Sequence, residues 1–386
     1  MKTITVLTAT RAEYGLLSPV IHKLLEWGQM KVKVVVTGAH LSPEFGLTYR
    51  EIERDGITID KKIEILLSSD TPAAISKSMG MAIIGFADYF ADSRTDVLLV
   101  LGDRYETLAV CCAAMNARIP IIHLYGGETT EGAVDEAIRH AITKMSYLHL
   151  TSTEAYRKRV IQLGEDPGRV YTVGSIGVEN ALHRPLMKKE ELEESLSFSL
   201  DRPYAVITFH PVTLESNDAE VQFRELLKAV DANASMKYIF TKANADSNGR
   251  IINQMIDEYA ASHNNVIAID SLGVDRYLSA LKYAEMVIGN SSSGLVEVPS
   301  FKIPTINIGD RQKGRLKADS VIDCGPDGKE ICEAIDKARS MKFKAICHSA
   351  VNPYGDGKTI EKIVAAIQEQ IVEKEIVLKK KFYDLK

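Results

Sequence analysis

The chain has 386 residues, of which 45% are hydrophobic and 26% are charged, a composition typical of a folded protein long enough for two domains. The formal net charge of −5 provides no overall attraction to nucleic acid or an anionic membrane, and no apolar run is long enough to span a bilayer. The first residues lead straight into a strand pattern rather than a signal peptide, which predicts a cytoplasmic protein.

Short β-branched segments alternate with helical patterns through residues 1–185, which is typical of a parallel sheet with crossover helices. We expect strands at 3–8, 32–37, 97–101, 119–124, 148–152 and 170–173. Segments with helical spacing separate them, such as 16–27, 107–116, 134–145 and 154–163. Residues 1–185 are therefore predicted to form one Rossmann-like domain.

A second series of strands and helices follows a charged stretch at 187–194. Its strands are expected at 204–209, 238–241, 266–269, 286–288, 305–308 and 321–323. This predicts a second Rossmann-like domain over 186–365, and an α/β fold in which the two domains face each other across a cleft. We expect residues 366–386 to form a C-terminal helix and tail that packs back on the first domain. The lysines of this tail (Lys379, Lys380 and Lys381) are interpreted as a solvated face.

The first strand ends near Thr8, and ligands of open α/β sheets bind beyond the carboxyl ends of the strands. Arg11 stands there at the start of a helix, where its guanidinium and the backbone N–H groups favour a diphosphate. The alternative for Arg11 is an exposed ion pair with Glu13. Neither a GxGxxG nor a GxxxxGK[ST] pattern is present, which argues against NAD and against a P-loop.

Three carboxylates follow later strands of the first domain. Asp103 comes just after the strand 97–101, Glu128 follows the strand 119–124, and Asp135 begins the next helix. Gathered at one sheet edge, they suit an enzyme that moves protons on and off a sugar carbon. The alternative for Asp135 is that it only complements the dipole of its helix.

The second domain offers polar groups suited to phosphate and ribose. His210 follows the first strand of that domain and is predicted to donate to a phosphate, the alternative being a surface-loop histidine. The segment Gly289-Asn290-Ser291-Ser292-Ser293-Gly294 leads from a strand into a helix, where N–H groups and hydroxyls suit a diphosphate or form a plain N-cap. Glu297 suits a ribose diol. No metal-ligand spacing of His or Cys occurs.

Six motifs stand in order along the chain: Thr10-Arg11-Ala12-Glu13-Tyr14, Gly102-Asp103-Arg104, Arg139-His140-Ala141-Ile142-Thr143-Lys144, Phe209-His210-Pro211-Val212-Thr213, Gly289-Asn290-Ser291-Ser292 and Asn352-Pro353-Tyr354-Gly355-Asp356-Gly357. Together they resemble the hydrolysing UDP-N-acetylglucosamine 2-epimerases of sialic acid biosynthesis, over nearly the whole chain. The segment after His210 differs from the His-Arg-Arg-Glu-type loop of non-hydrolysing relatives, which favours the hydrolysing branch.

The resemblance implies a GT-B-like fold and a two-step reaction without a redox cofactor. UDP is eliminated across C1–C2 of the sugar to give 2-acetamidoglucal, and water then adds to give N-acetylmannosamine with C2 inverted. The resemblance puts the acid/base carboxylates at Asp103 and Asp135, and it also implies a homodimer or homotetramer. UDP contacts fall on Arg11, Arg104, His210, Asn244, Ser291, Ser292, Glu297 and Arg311.

The sequence departs from the family pattern at three places. Tyr125 replaces a glutamate that many members use in catalysis, so we expect Glu128 to supply a proton there. The spacing from Glu128 to Asp135 is one residue longer than in those members. Gly15-Leu16 replaces a serine or glycine followed by a lysine, which removes one phosphate contact.

Three other functions stay open. A 2-epimerase of UDP-N,N'-diacetylbacillosamine, from legionaminic acid pathways, would carry similar motifs. A GT-B glycosyltransferase would use the same UDP site but would not need the three carboxylates. A nucleotide-sugar sensor would bind UDP without turnover.

Overall fold

Parallel strands separated by helices make up both halves of the chain. The computed structural model describes residues 1–67, 69, 71–131, 134–211, 219–243 and 249–385. In the first half the strands are β1 (Thr3–Thr8), β2 (Lys31–Thr37), β3 (Ile59–Ile63), β4 (Val97–Leu101), β5 (Ile121–Leu124), β6 (Leu148–Thr151) and β7 (Val170–Thr172). The helices are α1 (Arg11–Trp27), α2 (Tyr49–Arg54), α3 (Pro72–Asp92), α4 (Tyr105–Asn116), α5 (Asp135–Met145), α6 (Glu154–Gln162) and α7 (Ile176–His183).

The first sheet has the order β3-β2-β1-β4-β5-β6-β7. Each pair of neighbours is parallel, and β4 is buried along its whole length, as expected for a strand covered by helices on both faces. Because β2 and β4 lie on opposite sides of β1, the strand order reverses between β1 and β4. Such a reversal is where open α/β sheets bind ligands.

The second half repeats this plan. After α8 (Lys189–Leu196) come β8 (Tyr204–Thr208), α9 (Ala219–Ala232), β9 (Lys237–Thr241), α10 (Gly249–Ser262), β10 (Val266–Ile269), α11 (Gly273–Tyr283), β11 (Met286–Gly289), α12 (Ser293–Val296), β12 (Thr305–Ile308), β13 (Val321–Cys324), α13 (Gly328–Arg339), α14 (Met341–Ser349) and α15 (Thr359–Ile367). The parallel order is β10-β9-β8-β11-β12-β13, so the reversal lies between β8 and β11. The expected α/β class with two Rossmann-like parts is confirmed.

One strand of the first sheet escaped sequence analysis. The edge strand β3 has the sequence Ile-Asp-Lys-Lys-Ile, and its three central residues are exposed. Only its two terminal isoleucines carry the apolar signal, because an edge strand with charged residues needs little burial. The other strands in both halves lie within a few residues of their predicted positions.

The chain forms two compact units whose boundaries differ from the expected 1–185, 186–365 and 366–386. The first unit comprises Met1–Glu128, Val134–Ile176 and Gly355–Lys386. The second comprises Thr129–Ala133 and Gly177–Tyr354. The first unit therefore ends within α7, and the chain returns to it at Gly355, before the expected boundary at residue 366.

The C-terminal helix packs on the first unit, as expected. The apolar face of α15 places Ile363, Val364 and Ile367 in the same core as residues of β1 and α1. The chain continues as a π-helical turn over Gln368–Glu373, in which Ile371 is also fully buried. Burial of these side chains explains why this segment belongs to the first unit rather than the second.

The interpretation of the tail lysines as a solvated face is wrong for Lys380. Its ammonium donates to Glu165 at 2.6 Å and to the carbonyl of Ser146 at 2.7 Å, just after the end of α5. Glu165 is almost fully buried and also bonds His149 at 3.0 Å. A buried carboxylate requires such partners, and one comes from the tail. Among the described residues, no helix has both the length and the apolar character required to cross a membrane.

Replacement of Ile367 by alanine is expected to destabilise the first unit. The side chain is fully buried, so the lost contacts and the cavity should lower the free energy of unfolding by about 2–5 kcal/mol. Urea denaturation followed by circular dichroism would measure the change. Glu361→Ala, an exposed site on the same helix, is the matched control and should change stability by less than about 1 kcal/mol. Equal effects of the two substitutions would contradict the packing described for α15.

Candidate functional site

Arg139 lies at the centre of the polar edge of the first sheet. Its side chain extends from α5 and is only 2% exposed. The guanidinium forms an ion pair with Asp103 and another with Glu136 at 2.7 Å, and it donates to the backbone carbonyl of Glu128 at 2.9 Å. Asp135 precedes it by one helical turn. One buried cation therefore links the segments that carry all three predicted carboxylates.

The backbone around Asp103 is fixed from the neighbouring strand. Gly102 adopts a φ of +79°, which turns the chain sharply after β4. Its carbonyl accepts a hydrogen bond of 2.8 Å from Nε2 of His123, at the end of β5. Burial lowers the pKa of His123 to about 3, so the ring is neutral and donates its single N–H to this carbonyl. Asp103 itself stays 25% exposed, within reach of a ligand.

Asp135 differs from Asp103 in its electrostatic environment. Burial raises the pKa of Asp135, and the nearby charge of Asp103 raises it further. Arg104 and Arg139 act in the opposite direction, with a smaller effect than burial. The cluster thus contains an ion-paired carboxylate and a second carboxyl group that holds its proton to higher pH, which is an arrangement typical of acid/base pairs.

Glu128 and Tyr125 are the two residues that could replace the catalytic glutamate found in many family members, and they have different surroundings. Glu128 is 8% exposed, and its Oε1 accepts a hydrogen bond of 2.7 Å from Ser152. The hydroxyl of Tyr125 instead accepts from the N–H of Ile176 at 2.8 Å and lies 3.2 Å from the hydroxyl of Ser175. Tyr125 therefore contacts the start of α7, whereas Glu128 contacts the end of β6.

The two arginines of the first unit each have an acidic partner. Arg104 contacts Glu106 through Nε at 3.2 Å and through Nη2 at 3.3 Å. Arg11 pairs with Glu51 at 3.2 Å, so the alternative pairing of Arg11 with Glu13 is wrong. Both arginine side chains are about 40% exposed, at 42% and 40%, and remain accessible to an anion.

Glu13 faces inward and caps α1. Its Oε2 accepts hydrogen bonds from the N–H groups of Ala9 at 2.7 Å and Thr10 at 3.2 Å, while its own N–H donates to Thr10 Oγ1 at 3.3 Å. This is a reciprocal capping box. It fixes the turn that presents Arg11 at the end of β1.

In the second unit, Gly289 brings the ends of β8 and β11 together. Its φ is +136°, and a Cβ at this position would collide with the carbonyl of Thr208. Only glycine allows so close an approach of two backbones. The residues that follow the two strands, His210 and Asn290, consequently lie side by side at the reversal of the strand order.

The amide of Asn290 bridges the backbone of His210. Asn290 Oδ1 accepts the His210 N–H at 2.7 Å, and Asn290 Nδ2 donates to the His210 carbonyl at 2.7 Å. Asn290 is 1% exposed. Both ends of its amide are therefore used to hold His210, which differs from the ligand contact expected of Asn290.

The imidazole of His210 is buried and neutral. Burial, helped by the charge of Arg311, lowers the pKa of His210 to about 3. Its Nδ1 has no hydrogen-bond partner among the described residues. A neutral imidazole donates one N–H, which suits a phosphate oxygen without adding a full charge.

Arg311 and Gln312 converge on the same peptide. Arg311 Nη1 donates to the Asn290 carbonyl at 3.0 Å, and Gln312 Nε2 donates to it at 2.9 Å. Gln312 is 1% exposed. The ends of β8, β11 and β12 are thereby joined through Asn290.

The serines after Asn290 are partly exposed. Ser293 bonds the hydroxyl of Tyr277 at 2.6 Å, and the Ser293 N–H reaches Ser291 Oγ at 3.4 Å. Burial raises the pKa of Tyr277, so this hydroxyl keeps its proton. Ser291 and Ser292 stand at the open start of α12, where hydroxyl and N–H groups suit an anion.

The carboxylate of Glu297 packs on the first turn of α7. Glu297 Oε1 lies so close to Gly177 that a side chain at residue 177 would require the carboxylate to move. Glu297 is half-buried and follows the last serine of the segment by one helical turn.

The structure brings most of the predicted residues into two clusters. Asp103, Arg104 and Asp135 lie beyond the end of β4, beside the reversal of the strand order, and Arg11 follows β1 on the other side of it. The Glu128 carboxylate lies further along the sheet, against Ser152 after β6. His210, Asn290, Ser291, Ser292, Ser293, Glu297 and Arg311 lie around the reversal in the second sheet. Asn244 lies outside the described residues, and the described residues contain no cluster of acidic, His and Cys side chains suited to a metal.

Sequence reasoning missed the roles of Arg139, Gln312 and Ser152. Arg139 was visible in a motif, and its spacing of four residues from Asp135 puts both on one helix face. That spacing was the available signal. Ser152 and Gln312 carry no comparable pattern, because their partners are distant in sequence.

Comparison with known proteins identifies the family. A family model described as UDP-N-acetylglucosamine 2-epimerase matches residues 22–368. The chain is 44% identical to the GDP/UDP-N,N'-diacetylbacillosamine 2-epimerase (hydrolyzing) of Campylobacter jejuni, over 88% of each chain. It is 42% identical to the polysialic acid biosynthesis protein P7 of Escherichia coli, over 100% of this chain and 98% of that protein.

A solved structure supports the fold. The UDP-GlcNAc 2-epimerase of Methanocaldococcus jannaschii, in complex with UDP-GlcNAc and UDP, superposes with a TM-score of 0.79 at 20% identity, covering 96% of this chain and 100% of that one. With two curated relatives above 40% identity along nearly their full lengths, the chain belongs to the UDP-N-acetylglucosamine 2-epimerase family.

Proposed function

We propose that the chain is a hydrolysing 2-epimerase that converts UDP-N-acetylglucosamine and water to N-acetylmannosamine and UDP. In the first step C2 loses its proton and the C1–O bond to UDP breaks, which gives 2-acetamidoglucal. Water then adds across the double bond, its oxygen to C1 and a proton to the opposite face of C2. The proposal rests on the acid/base cluster of the first unit and the anion-binding groups of the second.

The paired carboxyl groups carry this proposal. Removal of the weakly acidic C2 proton needs a base, and its return from the other face needs an acid, so one carboxyl group does not easily serve both steps. Asp103 is ion-paired with Arg139, and the pKa of Asp135 is raised by burial and by Asp103. We assign them to separate proton transfers, with Glu128 in the role left by the glutamate that Tyr125 replaces.

The second unit offers the groups that the UDP end requires. Neutral His210 and Arg311 supply donors to a diphosphate, and Ser291 and Ser292 add hydroxyl and N–H groups. Glu297 accepts from the ribose hydroxyls. In the first unit, Arg11 and Arg104 offer local positive groups to an anion, which the net charge of −5 does not attract by itself.

A second substrate is supported by the name of a similar protein. The Campylobacter jejuni protein at 44% identity is named for GDP/UDP-N,N'-diacetylbacillosamine. The chemistry at C1 and C2 is the same for that sugar, and the difference lies at C4 and C6. A glycosyltransferase is less favoured, because transfer of the sugar gives no task to three clustered carboxylates. A cytoplasmic location and a homodimer or homotetramer remain predictions of the sequence.

Product analysis tests the reaction and the substrate. UDP-N-acetylglucosamine and UDP-N,N'-diacetylbacillosamine, offered separately, should each be followed by NMR of the free sugar. We expect N-acetylmannosamine and UDP from the first, at a higher kcat/KM, without added nucleotide cofactor and unchanged by EDTA. A preference for the second sugar would transfer the assignment to the diacetyl substrate. Sugar transfer to an acceptor without free N-acetylmannosamine would contradict the 2-epimerase assignment.

Substitution of the carboxylates tests their roles. Asp103→Asn and Glu128→Gln should each lower kcat by about 10²-fold or more, the usual loss when an acid/base group is removed, while UDP still binds. Steady-state kinetics and calorimetric titration with UDP separate the two effects. Asp88→Asn, an exposed site on α3, is the control. If Glu128→Gln keeps a normal kcat and Tyr125→Phe abolishes it, the phenol rather than the carboxylate supplies the proton.

Glu297→Ala should weaken UDP binding about tenfold, because hydrogen bonds to a charged group contribute about 1.5–3 kcal/mol. Calorimetric titration with UDP would measure the loss, and Glu333→Ala, exposed on α13, should leave the affinity unchanged. Equal UDP affinity of Glu297→Ala and the unmodified protein would show that the ribose is bound elsewhere.

A further inference from the structure

Glu13 is a buried carboxyl group with one oxygen that has no partner. The residue is 7% exposed at the start of α1. Its Oε2 accepts from the N–H groups of Ala9 and Thr10. Its Oε1 is buried and makes no hydrogen bond within the described chain. A capping carboxylate on a helix surface normally reaches water, so this burial is unusual.

The charged groups that face Glu13 come from the loop after β4 and from α4. They are Arg104 and Glu106, which are bonded to each other. From the segment after β2, His40 donates its backbone N–H to the Ala9 carbonyl at 3.2 Å, and burial lowers the pKa of its ring to about 4, so it carries no charge. Arg11, on α1 itself, is paired with Glu51.

The charge of this cluster depends on Glu13. Arg104 and Glu106 cancel each other, so the cluster is neutral when Glu13 carries a proton and has a net charge of −1 when Glu13 is ionised. Because Oε2 already accepts two N–H groups, the proton belongs on Oε1. Burial raises the pKa of Glu13 to about 7, against a weaker opposing effect of Arg104. The neutral form is therefore well populated at neutral pH.

We propose that Glu13 is a positioning residue that must carry its proton for the diphosphate of the substrate to be bound well at Arg104 and Arg11. The neutral carboxyl group fixes the turn at Ala9 and Thr10 through Oε2 and adds no negative charge. The ionised carboxylate holds the same turn but repels a diphosphate and competes for the guanidinium of Arg104. This inference rests on the proposed function, because it takes Arg104 and Arg11 as UDP contacts.

The direction of the pH effect follows from the protonated form being the competent one. The kcat/KM for the nucleotide sugar should fall as pH rises through the pKa of Glu13, by about tenfold for each further pH unit while the ionised form dominates. A UDP-sugar diphosphate is a diester with no proton to lose in this range, so the substrate does not contribute to the change. Any pH dependence of kcat/KM that comes from Asp135 is the same in the unmodified protein and in a variant changed only at Glu13.

Glu13→Gln removes the ionisable group of residue 13 but keeps the hydrogen bonds that fix the turn at Ala9 and Thr10. Glutamine keeps an oxygen that accepts from both N–H groups and has no proton to lose. We expect kcat/KM of Glu13→Gln not to show the fall with rising pH that ionisation of Glu13 causes (the Glu13 limb of the pH profile). At about pH 8.5 it should exceed kcat/KM of the unmodified protein by about tenfold or more. Glu53→Gln, an exposed site on α2 with the same change of charge, should keep the limb. An unchanged limb in Glu13→Gln would overturn the inference.

Infrared titration of the unmodified protein supplies a readout that does not depend on turnover. A protonated-carboxyl band that disappears between about pH 6 and pH 8 and is missing from Glu13→Gln is expected. Loss of all such signal below about pH 5 would also overturn the inference, whether or not the variant folds. Failure of the proposed function looks different: the unmodified protein would then release no free 2-acetamido sugar at about pH 6, where Glu13 is protonated.

Discussion

Arg139 places a positive charge where water has almost no access, and the geometry of the first unit follows from the need to surround it. Its partners come from the turn after β4, from the segment after β5 and from its own helix. A guanidinium with five donors joins three chain segments in one plane, which lysine cannot do with a single ammonium. The same charge lies near both Asp103 and Asp135, yet it bonds only the former. Arg139 thus pairs with Asp103, whereas burial and the charge of Asp103 raise the pKa of Asp135.

The second unit has a similar cluster with an uncharged amide, rather than a guanidinium, at its centre. Asn290 takes the central position, with its amide on His210 and its carbonyl receiving Arg311 and Gln312. Both clusters lie where the strand order reverses, so each sheet leaves a gap between diverging helices at its carboxyl edge. Asn290 is uncharged, so the second cluster has a neutral centre, with the neutral imidazole of His210 and the guanidinium of Arg311 around it. The first cluster has a charged centre, because its buried guanidinium balances the carboxylates of Asp103 and Glu136.

The repeating strand and helix pattern allowed both Rossmann-like parts and the candidate residues at the strand ends to be predicted, since buried parallel strands are continuous apolar runs. What could not be predicted depends on side chains that meet across the sheet. The edge strand β3 has too few buried residues, and the pairing of Arg11 with Glu51 instead of Glu13 depends on α2. The segment Thr129–Ala133 belongs to the second unit although both its neighbours in sequence belong to the first. Patterns in the local sequence do not show that a short segment belongs to the other unit.

The docked tail has a practical consequence for anyone who produces this protein. Beyond Lys380, the ring of Phe382 packs where Gly164 leaves room, and the N–H of Tyr383 bonds the Gly164 carbonyl at 3.0 Å. Purification handles are commonly fused at a carboxyl terminus on the assumption that terminal residues are loose. Here Lys380 neutralises buried Glu165 and donates to the Ser146 carbonyl after α5, so a fusion placed next to this segment would disturb these contacts. An amino-terminal handle avoids that segment, and a carboxyl-terminal one calls for a flexible spacer.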